Sequence, residues 1–228
     1  MEVFDRSGLY VIAGVKGVGK SSYLAYLGEH FRKEDCRKQS LYFYHSSSHP
    51  GNLRLPEGVK AIEISQLPMQ TGHIFLESQW AKEDHGLSAV LIDDFRYLLR
   101  TEQFREIELS RSEKILYLLT RLRTLSEVYD VPVIVTCGVD DDYIYGRLDK
   151  KPKLSDIPDH EYVEALSDRI ILMHREEMYD SDSKKSGITD FTVHSLSENS
   201  SYLYHLAFIH ELKKYCHIGI DGVSEIGD

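Results

Sequence analysis

The sequence predicts an α/β fold in which a mostly parallel, twisted sheet lies between helices, with antiparallel strands extending it toward the C-terminus. Short apolar runs alternate along the chain with segments of helical periodicity, and strands that are apolar throughout are typical of a sheet covered on both faces. After Arg175 the pattern changes, because apolar runs lie on either side of a short polar turn. That second pattern is typical of antiparallel strands.

The parallel part of the sheet is predicted from six apolar runs and two helical segments. Strands are expected at residues 9–13, 41–44, 61–64, 89–92, 131–135 and 170–173. The first helix is expected at 21–32, and the second at 112–129, where apolar residues recur three or four positions apart. Ser112 is the candidate N-cap of the second helix, since a serine side chain accepts hydrogen bonds from the N–H groups of the first turn.

The C-terminal part is predicted from turn chemistry. Residues 180–187 form a polar loop, and strands are expected at 191–193 and 202–212 around the turn 198–201. A further, glycine-containing strand is expected at 219–223. No linker-like segment divides the chain, so the sequence predicts one domain over residues 1–228.

Composition limits the functional classes. With 27 basic and 37 acidic residues the net charge is −10, which argues against a protein that coats nucleic acid but does not exclude a small basic loop. No apolar stretch approaches the roughly 18 residues needed to span a bilayer, and the N-terminus does not resemble a secretory signal. The three cysteines are far apart along the chain, which favours reduced thiols. We therefore expect a cytoplasmic protein with no membrane partner.

A glycine-rich segment between the first predicted strand and helix carries the main chemical signal. It fits the phosphate-loop pattern G-x-x-x-x-G-K-[ST] at every position, and its residues are Gly14, Val15, Lys16, Gly17, Val18, Gly19, Lys20 and Ser21. Glycines let successive backbone N–H groups point at a phosphate, and the start of the helix adds its positive end. We expect a nucleoside triphosphate here, contacted as far as Ser22, with Lys20 on the β- and γ-phosphates and the Ser21 hydroxyl on Mg²⁺.

Two acids follow the apolar run 89–92. Asp93 stands where the metal-binding carboxylate of phosphate-loop enzymes ends a strand, so it is the second predicted Mg²⁺ group. Asp94 has two interpretations: it polarises the attacking water as a catalytic acid, or it is a solvated surface carboxylate. The guanine-reading motif N-K-x-D is absent from the sequence, which favours ATP as the nucleotide.

The second half of the chain resembles the C-terminal ATPase domain of DnaB-type replicative helicases. The resemblance lies in the segment L-R-T-L-S-E-V-Y-D-V-P-V-I-V at 122–135, in S-D-I at 155–157, in Ser167-Asp168 and in H-R-E-E-M-Y at 174–179. It implies a RecA-like core, an ATPase of DNA metabolism, and a position for Arg175 beside the nucleotide. It also places the basic cluster Lys150, Lys151 and Lys153 in a region that faces DNA in the family.

The same resemblance identifies several departures. The segment that carries the family's catalytic glutamate is H-S-S-S at 45–48, and its γ-phosphate-sensing glutamine falls at about Cys137-Gly138. The arginine finger, expected two residues after Lys213, is Tyr215, and the arginine of the S-D-L-R segment is Pro158. The phosphate loop begins at residue 14, so we expect the family's N-terminal domain and linker helix to be missing.

These departures lead to three functional hypotheses. The first is an accessory or regulatory ATPase with weak intrinsic hydrolysis. The second is an active ATP-driven DNA helicase or translocase. The third is a non-hydrolysing module that uses ATP for binding or assembly. Weak single-stranded DNA binding and a protein partner are expected, although the acidic triplet at 140–142 favours a solvated loop over a DNA-binding one. The oligomeric state stays open.

Overall fold

The computed structural model describes residues 3–4, 7–46, 55–64, 70–100, 108–209, 214–219 and 222–224. The strands within these residues are β1 (Gly8–Gly14), β2 (Gln39–Tyr44), β3 (Val59–Glu63), β4 (Leu87–Asp93), β5 (Pro132–Gly138), β6 (Arg169–His174), β7 (Ile188–Ser195), β8 (Ser200–Ile209), β9 (Lys214–Gly219) and β10 (Gly222–Ser224). The helices are α1 (Lys20–Glu34), α2 (Gln70–Asp84), α3 (Arg111–Tyr129), α4 (Asp141–Tyr145) and α5 (His160–Leu166). Short 3₁₀ helices cover Phe95–Arg100, Leu154–Asp156 and Glu176–Met178.

All ten described strands belong to one sheet, in the order β10-β9-β8-β7-β6-β1-β5-β4-β2-β3. In this order, all neighbouring strands from β6 through β1, β5, β4 and β2 to β3 pair in parallel. The neighbouring strands from β6 through β7, β8 and β9 to β10 pair antiparallel. The predicted α/β class, with a mostly parallel sheet and an antiparallel C-terminal extension, is therefore confirmed. The predicted ends of all six parallel strands lie within two residues of the observed ends, with one exception. β5 ends at Gly138, three residues after its predicted end.

The helices cover both faces of the parallel strands. α1 packs on β1, β2, β4 and β5, whereas α3 contacts both α2 and α5. Because strand–helix–strand crossovers are right-handed, α1 lies on one face and α2, α3 and α5 lie on the other. The central runs are inaccessible to solvent, as the continuous apolar strands predicted. The chain leaves β1 toward one face and β5 toward the other, and such a switch point opens a crevice at the carboxyl ends of these adjacent strands.

Two local predictions need correction. The N-cap of α3 is Ser110 and not Ser112: Ser110 Oγ accepts from Glu113 N at 3.2 Å, and Glu113 Oε2 accepts from Ser110 N at 2.7 Å. The segment 219–223 is not one strand, since β9 ends at Gly219 and β10 begins at Gly222, antiparallel to it. α2 was not predicted, because Leu76 and Trp80 are exposed and blur its apolar periodicity.

No helix among the described parts of the chain is both long enough and apolar enough to cross a bilayer.

Candidate functional site

The glycine-rich loop joins the end of β1 to the start of α1. Gly17 and Gly19 have φ angles of 86° and 107°, which L side chains rarely adopt. A Cβ atom at Gly14 would lie 2.9 Å from the carbonyl oxygen of Met173 on β6, so the chain passes too close for another residue. Gly19 caps α1 without a side-chain hydrogen bond, and the first turn of the helix contains no acid. The helix therefore presents an uncompensated positive end, which suits an anion.

The side chain of Lys20 folds back over this loop. Its Nζ donates to the carbonyl oxygens of Gly14 at 2.8 Å and Val15 at 2.9 Å. Burial lowers the pKa of Lys20, while the thiol of Cys137 and the carboxylates of Asp94 and Asp93 act in the opposite direction. The ammonium group is thus held in the concavity of the loop, close to Asp93 at the end of β4 and to Asp94 directly after it.

Asp93 and Ser21 are brought together through β2. Asp93 is 3% exposed, and its Oδ1 accepts from Thr136 Oγ1 at 2.5 Å. The hydroxyl of Tyr42 lies 3.2 Å from Asp93 Oδ2 and 3.5 Å from the carbonyl oxygen of Ser21. Burial, then the charge of Asp93, raises the pKa of Tyr42 well above its ordinary value, so Tyr42 remains a donor. The Asp93 carboxylate and the backbone of Ser21 therefore both contact one tyrosine hydroxyl.

Asp94 forms a close ion pair with Arg96. Arg96 Nη2 donates to Asp94 Oδ2 at 2.6 Å and Nε donates to Oδ1 at 3.1 Å, so both carboxylate oxygens are engaged. The pair lies on the wall of a cleft of about 510 Å³, which is also lined by Arg100, Arg111 and Lys114. Asp94 is thus neither a solvated acid nor an acid without a partner. Its carboxylate positions a cation beside the loop.

Arg175 lies in a segment that packs near the loop. The side chain is 19% exposed and forms an ion pair with Glu177, which also accepts from Ser186 Oγ at 2.7 Å. A Cβ atom at Gly17 would lie 3.7 Å from Met178 Cε, so the segment borders the outer side of the loop. Arg175 Nε is buried and has no hydrogen-bond partner among the described residues.

No group of three or more His, Cys, Asp or Glu side chains able to hold a metal lies together in the described part of the chain. A hydroxyl and one carboxylate fit Mg²⁺ better than such a cluster would. Mg²⁺ keeps several waters and is commonly bound through one or two carboxylates and the phosphates of its substrate.

Comparison with known proteins identifies the family of the chain. Residues 59–216 match the model of the DnaB-like helicase C terminal domain. The chain belongs to this family. The replicative DNA helicase DnaB of Geobacillus stearothermophilus is 20% identical across 94% of the chain, and that of Leifsonia xyli subsp. xyli is 31% identical across 49%. The chain spans 53% of the length of the first relative and 23% of the second.

Solved structures place the chain in the same fold. One solved ATPase domain superposes with a TM-score of 0.73 at 16% identity, covering 95% of this chain and 86% of that one. A DnaB-like replicative helicase, solved in a study of its interactions with primase, also superposes with a TM-score of 0.73, at 17% identity. The superposition covers 93% of this chain and 57% of the helicase chain. The predicted RecA-like core of a DnaB-type ATPase domain is confirmed. The matched family segment begins at residue 59, so the glycine-rich loop lies outside it.

The family's arginine-finger position is occupied by a residue that packs within its own chain. Tyr215 is 4% exposed, and its ring centroid lies 5.1 Å from that of Tyr23 and 5.5 Å from that of Tyr26, both on α1. Its hydroxyl donates to the carbonyl oxygen of Gly19 at 3.5 Å. Tyr215 therefore supports the base of its own loop and is not presented to a neighbouring subunit.

The structure also shows the surroundings of the other residues that differ from the family pattern, as far as they belong to the described residues. Burial raises the pKa of the Cys137 thiol to about 12, so Cys137 is a neutral core residue. His45 stacks on Tyr97 with ring centroids 4.4 Å apart. Pro158 follows the 3₁₀ helix Leu154–Asp156, whose Asp156 is bound by Arg147 Nη1 at 2.6 Å. Ser47, Ser48 and Lys213 lie outside the described residues.

The predicted DNA-facing segment forms a loop around α4. Asp140 caps that helix, since its Oδ1 accepts from Asp142 N at 3.2 Å. Lys151 and Lys153 are exposed, whereas Lys150 is half-buried with its Nζ bound to the carbonyl oxygen of Tyr145. The loop therefore exposes two of the three lysines, and its acidic triplet contributes to the start of α4.

Sequence reasoning missed Arg96, Thr136 and Tyr42. Tyr42 lies inside an apolar run and Thr136 directly follows one, and a single polar residue in such a place gives no sign that it contacts Asp93. Arg96 carried a faint signal, because it is a charge within a short apolar segment just after the two acids.

Proposed function

We propose that this chain binds ATP with Mg²⁺ and acts as an accessory or regulatory ATPase of DNA metabolism with slow intrinsic hydrolysis. The single observation that carries nucleotide binding is Lys20, whose ammonium group lies in a glycine loop at the uncapped N-terminus of α1. Bound phosphates would replace the Gly14 and Val15 carbonyls as partners of Lys20. The phosphate contacts are proposed for the backbone N–H groups of Gly14, Val15, Lys16, Gly17, Val18 and Gly19, and for Lys20, Ser21 and Ser22.

We propose that Mg²⁺ lies between the Ser21 hydroxyl and Asp93. The Ser21 hydroxyl would be a direct ligand, and Asp93 would bind the ion directly or through water. Thr136 and Tyr42 hold the carboxylate with one hydrogen bond to each oxygen, so its position is fixed before the metal arrives. When bound, the ion would neutralise charge on the phosphates.

Slow hydrolysis is proposed because phosphoryl transfer requires an oriented attacking water, and because Tyr215 stands where the resemblance places the arginine that a neighbouring subunit adds at the γ-phosphoryl group. Tyr215 is buried on its own chain, so it supplies no cation to a neighbour. Asp94 is the proposed catalytic acid, but its bonds to Arg96 must rearrange before it accepts a proton. An active helicase and a non-hydrolysing assembly module remain the alternatives.

The cellular setting is proposed from family membership. Replicative helicases are the named relatives, so single-stranded DNA and a replication protein are the expected partners, with the DNA contact weak. Arg175 is proposed to approach the nucleotide from the outer side of the loop, where its buried Nε needs an acceptor. We propose a cytoplasmic protein that forms one domain and does not form a stable hexamer alone.

Calorimetric titration with ATP and Mg²⁺ tests nucleotide binding. We expect Lys20→Ala to weaken binding by about 2 kcal/mol or more, because a charge-assisted contact to phosphate is lost. Lys16→Ala is the matched control, since Lys16 is exposed in the same loop and would contribute only its backbone. Equal affinity in the wild type and Lys20→Ala, or no binding by the wild type, would remove the assignment.

A further inference from the structure

The guanidinium group of Arg96 occupies the space directly beside Gly138. A Cβ atom built at Gly138 would lie 2.6 Å from Arg96 Nη2 and 3.4 Å from Cζ. Real Cβ atoms make no contact as short as the first of these, so any side chain at position 138 would displace the guanidinium. Gly138 thus makes room for a positive charge at the carboxyl end of β5.

This position adjoins the glycine-rich loop. Gly138 pairs with Gly14 across β5 and β1, and Val139 N donates to the Gly14 carbonyl oxygen at 3.4 Å. The same carbonyl oxygen accepts from Lys20 Nζ. Burial lowers the pKa of Lys20, and the positive charge of nearby Arg96 lowers it further. Two cations therefore converge on the point where β1 enters the loop.

The sheet order places a bound γ-phosphate at the same point. The loop follows β1 and Asp93 ends β4, and β5 lies between these two strands. In phosphate-loop proteins the metal bridges the β- and γ-phosphates, so the γ-phosphate lies between the loop and the metal carboxylate. That position is above the end of β5, where Arg96 lies.

Asp94 fixes the orientation of Arg96. It accepts from Nε and Nη2, and its Oδ1 also accepts from the Arg96 backbone N at 3.0 Å. An arginine carries five N–H donors, so it can bind a carboxylate along one edge and a phosphate along another. The side chain is 34% exposed, so part of the guanidinium is accessible to a ligand.

We propose that Arg96 binds the γ-phosphate from within the same chain and makes the site select triphosphates over diphosphates. This inference rests on the proposed nucleotide binding, because it requires phosphates in the loop. Asp94 is then the positioning residue for Arg96.

Paired titrations test the inference with MgADP and with a non-hydrolysable ATP analogue and Mg²⁺. Arg96→Ala is expected to lower the affinity for the ATP analogue about tenfold to hundredfold, because a charge-assisted hydrogen bond contributes about that much to binding. Its affinity for ADP should stay close to that of the wild type, which also verifies that the site is folded. Arg100→Ala is the matched control, because Arg100 lies on the same 3₁₀ helix and lines the same cleft. It should retain both affinities.

A second variant separates binding by Arg96 from simple neutralisation of Asp94. Arg96→Ala leaves the Asp94 carboxylate unpaired, and this charge would itself repel a γ-phosphate. The double variant Asp94→Asn, Arg96→Ala removes that repulsion, and it should still lack the preference for the triphosphate. Recovery of the wild-type preference in the double variant would overturn the inference, as would an equal loss for both nucleotides or no loss in Arg96→Ala.

The outcomes also separate this inference from the proposed function. If the wild type binds neither nucleotide, the proposed function fails and the inference fails with it. If the wild type binds both and Lys20→Ala weakens both, the proposed function stands. The result for Arg96 then decides the inference alone.

Discussion

Thr136 Oγ1 donates a 2.5 Å hydrogen bond to Oδ1 of Asp93, across the boundary between β5 and β4. Both residues are buried, with exposures of 0% and 3%. A buried carboxylate needs hydrogen bonds in place of its lost hydration, and Tyr42 supplies the second one. Three neighbouring strands therefore fix the orientation of the acid proposed to hold Mg²⁺.

Thr136→Val should destabilise the protein by about 1–3 kcal/mol, because it removes a donor from a buried carboxylate while keeping the side-chain shape. The measurement is the free energy of unfolding from urea denaturation. Thr120→Val is the matched control, because Thr120 is exposed on α3, and the change should stay within about 0.5 kcal/mol. Equal stability of the two variants would contradict a structural need for the Thr136–Asp93 bond.

ATP turnover by the isolated chain should lie far below the ~1–100 s⁻¹ that is typical of kinases. An arginine finger alone commonly contributes about 10³ to 10⁵ in rate, and Tyr215 stands in its place. Steady-state phosphate release from protein freed of contaminating ATPases checks this, with and without single-stranded DNA.

Asp94→Asn separates two explanations of any turnover that is found, with the exposed Asp140→Asn as its control. Wild-type turnover of several per second without a partner would contradict the proposed weak hydrolysis. If Asp94→Asn then abolished that turnover while nucleotide binding remained, Asp94 would be the catalytic acid in place of the glutamate of the family.

Single-stranded DNA binding should be weak and salt-sensitive. Neutralising about three phosphates predicts a slope near −2 for the logarithm of affinity against the logarithm of salt concentration. Replacing Lys150, Lys151 and Lys153 together by alanine should remove most of this slope in fluorescence anisotropy titrations. The control replaces three other lysines, Lys33, Lys38 and Lys184, with the same change in net charge. Tight binding that survives the first triple variant would place the DNA site elsewhere.

The ion pair of Asp156 and Arg147 should stabilise the protein at neutral pH, and this contribution should be lost as the pH falls below about 4. Burial raises the pKa of Asp156, but hydrogen bonds from Arg147 and from Lys153 N outweigh it, so the pKa is lowered overall. A lowered pKa in the folded state stabilises the protein above the unfolded-state value, about 3.9, and this contribution is lost as the pH falls through the folded-state value.

The measurement is the urea midpoint of the wild type and Asp156→Asn between pH 7 and pH 3. The variant should be less stable at neutral pH, and the difference should shrink only in the acidic part of the range. The exposed Asp84→Asn serves as control. A difference between wild type and Asp156→Asn that is the same at pH 7 and pH 3 would contradict the assigned cause.

The sequence by itself determined the layers of the fold and the position of the loop. Continuous apolar runs specify strands buried on both faces, and the spacing of Gly14, Gly17, Gly19 and Lys20 specifies a tight turn into a helix. These features are local, because each depends on residues within a few positions along the chain. α2 escaped prediction because exposed Leu76 and Trp80 disturb its periodicity.

Only the tertiary structure decided which side chains meet at the carboxyl ends of β1, β4 and β5. Thr136 is 43 residues from Asp93, and Tyr42 is 51 residues from it. Arg96 and Gly138 are also distant in sequence, and nothing in their local pattern indicates that one fills the space left by the other. The burial of Tyr215 against Gly19 likewise depends on the pairing of β9 with β8. Strand order and register bring these residues together, and both are set by packing across the whole sheet.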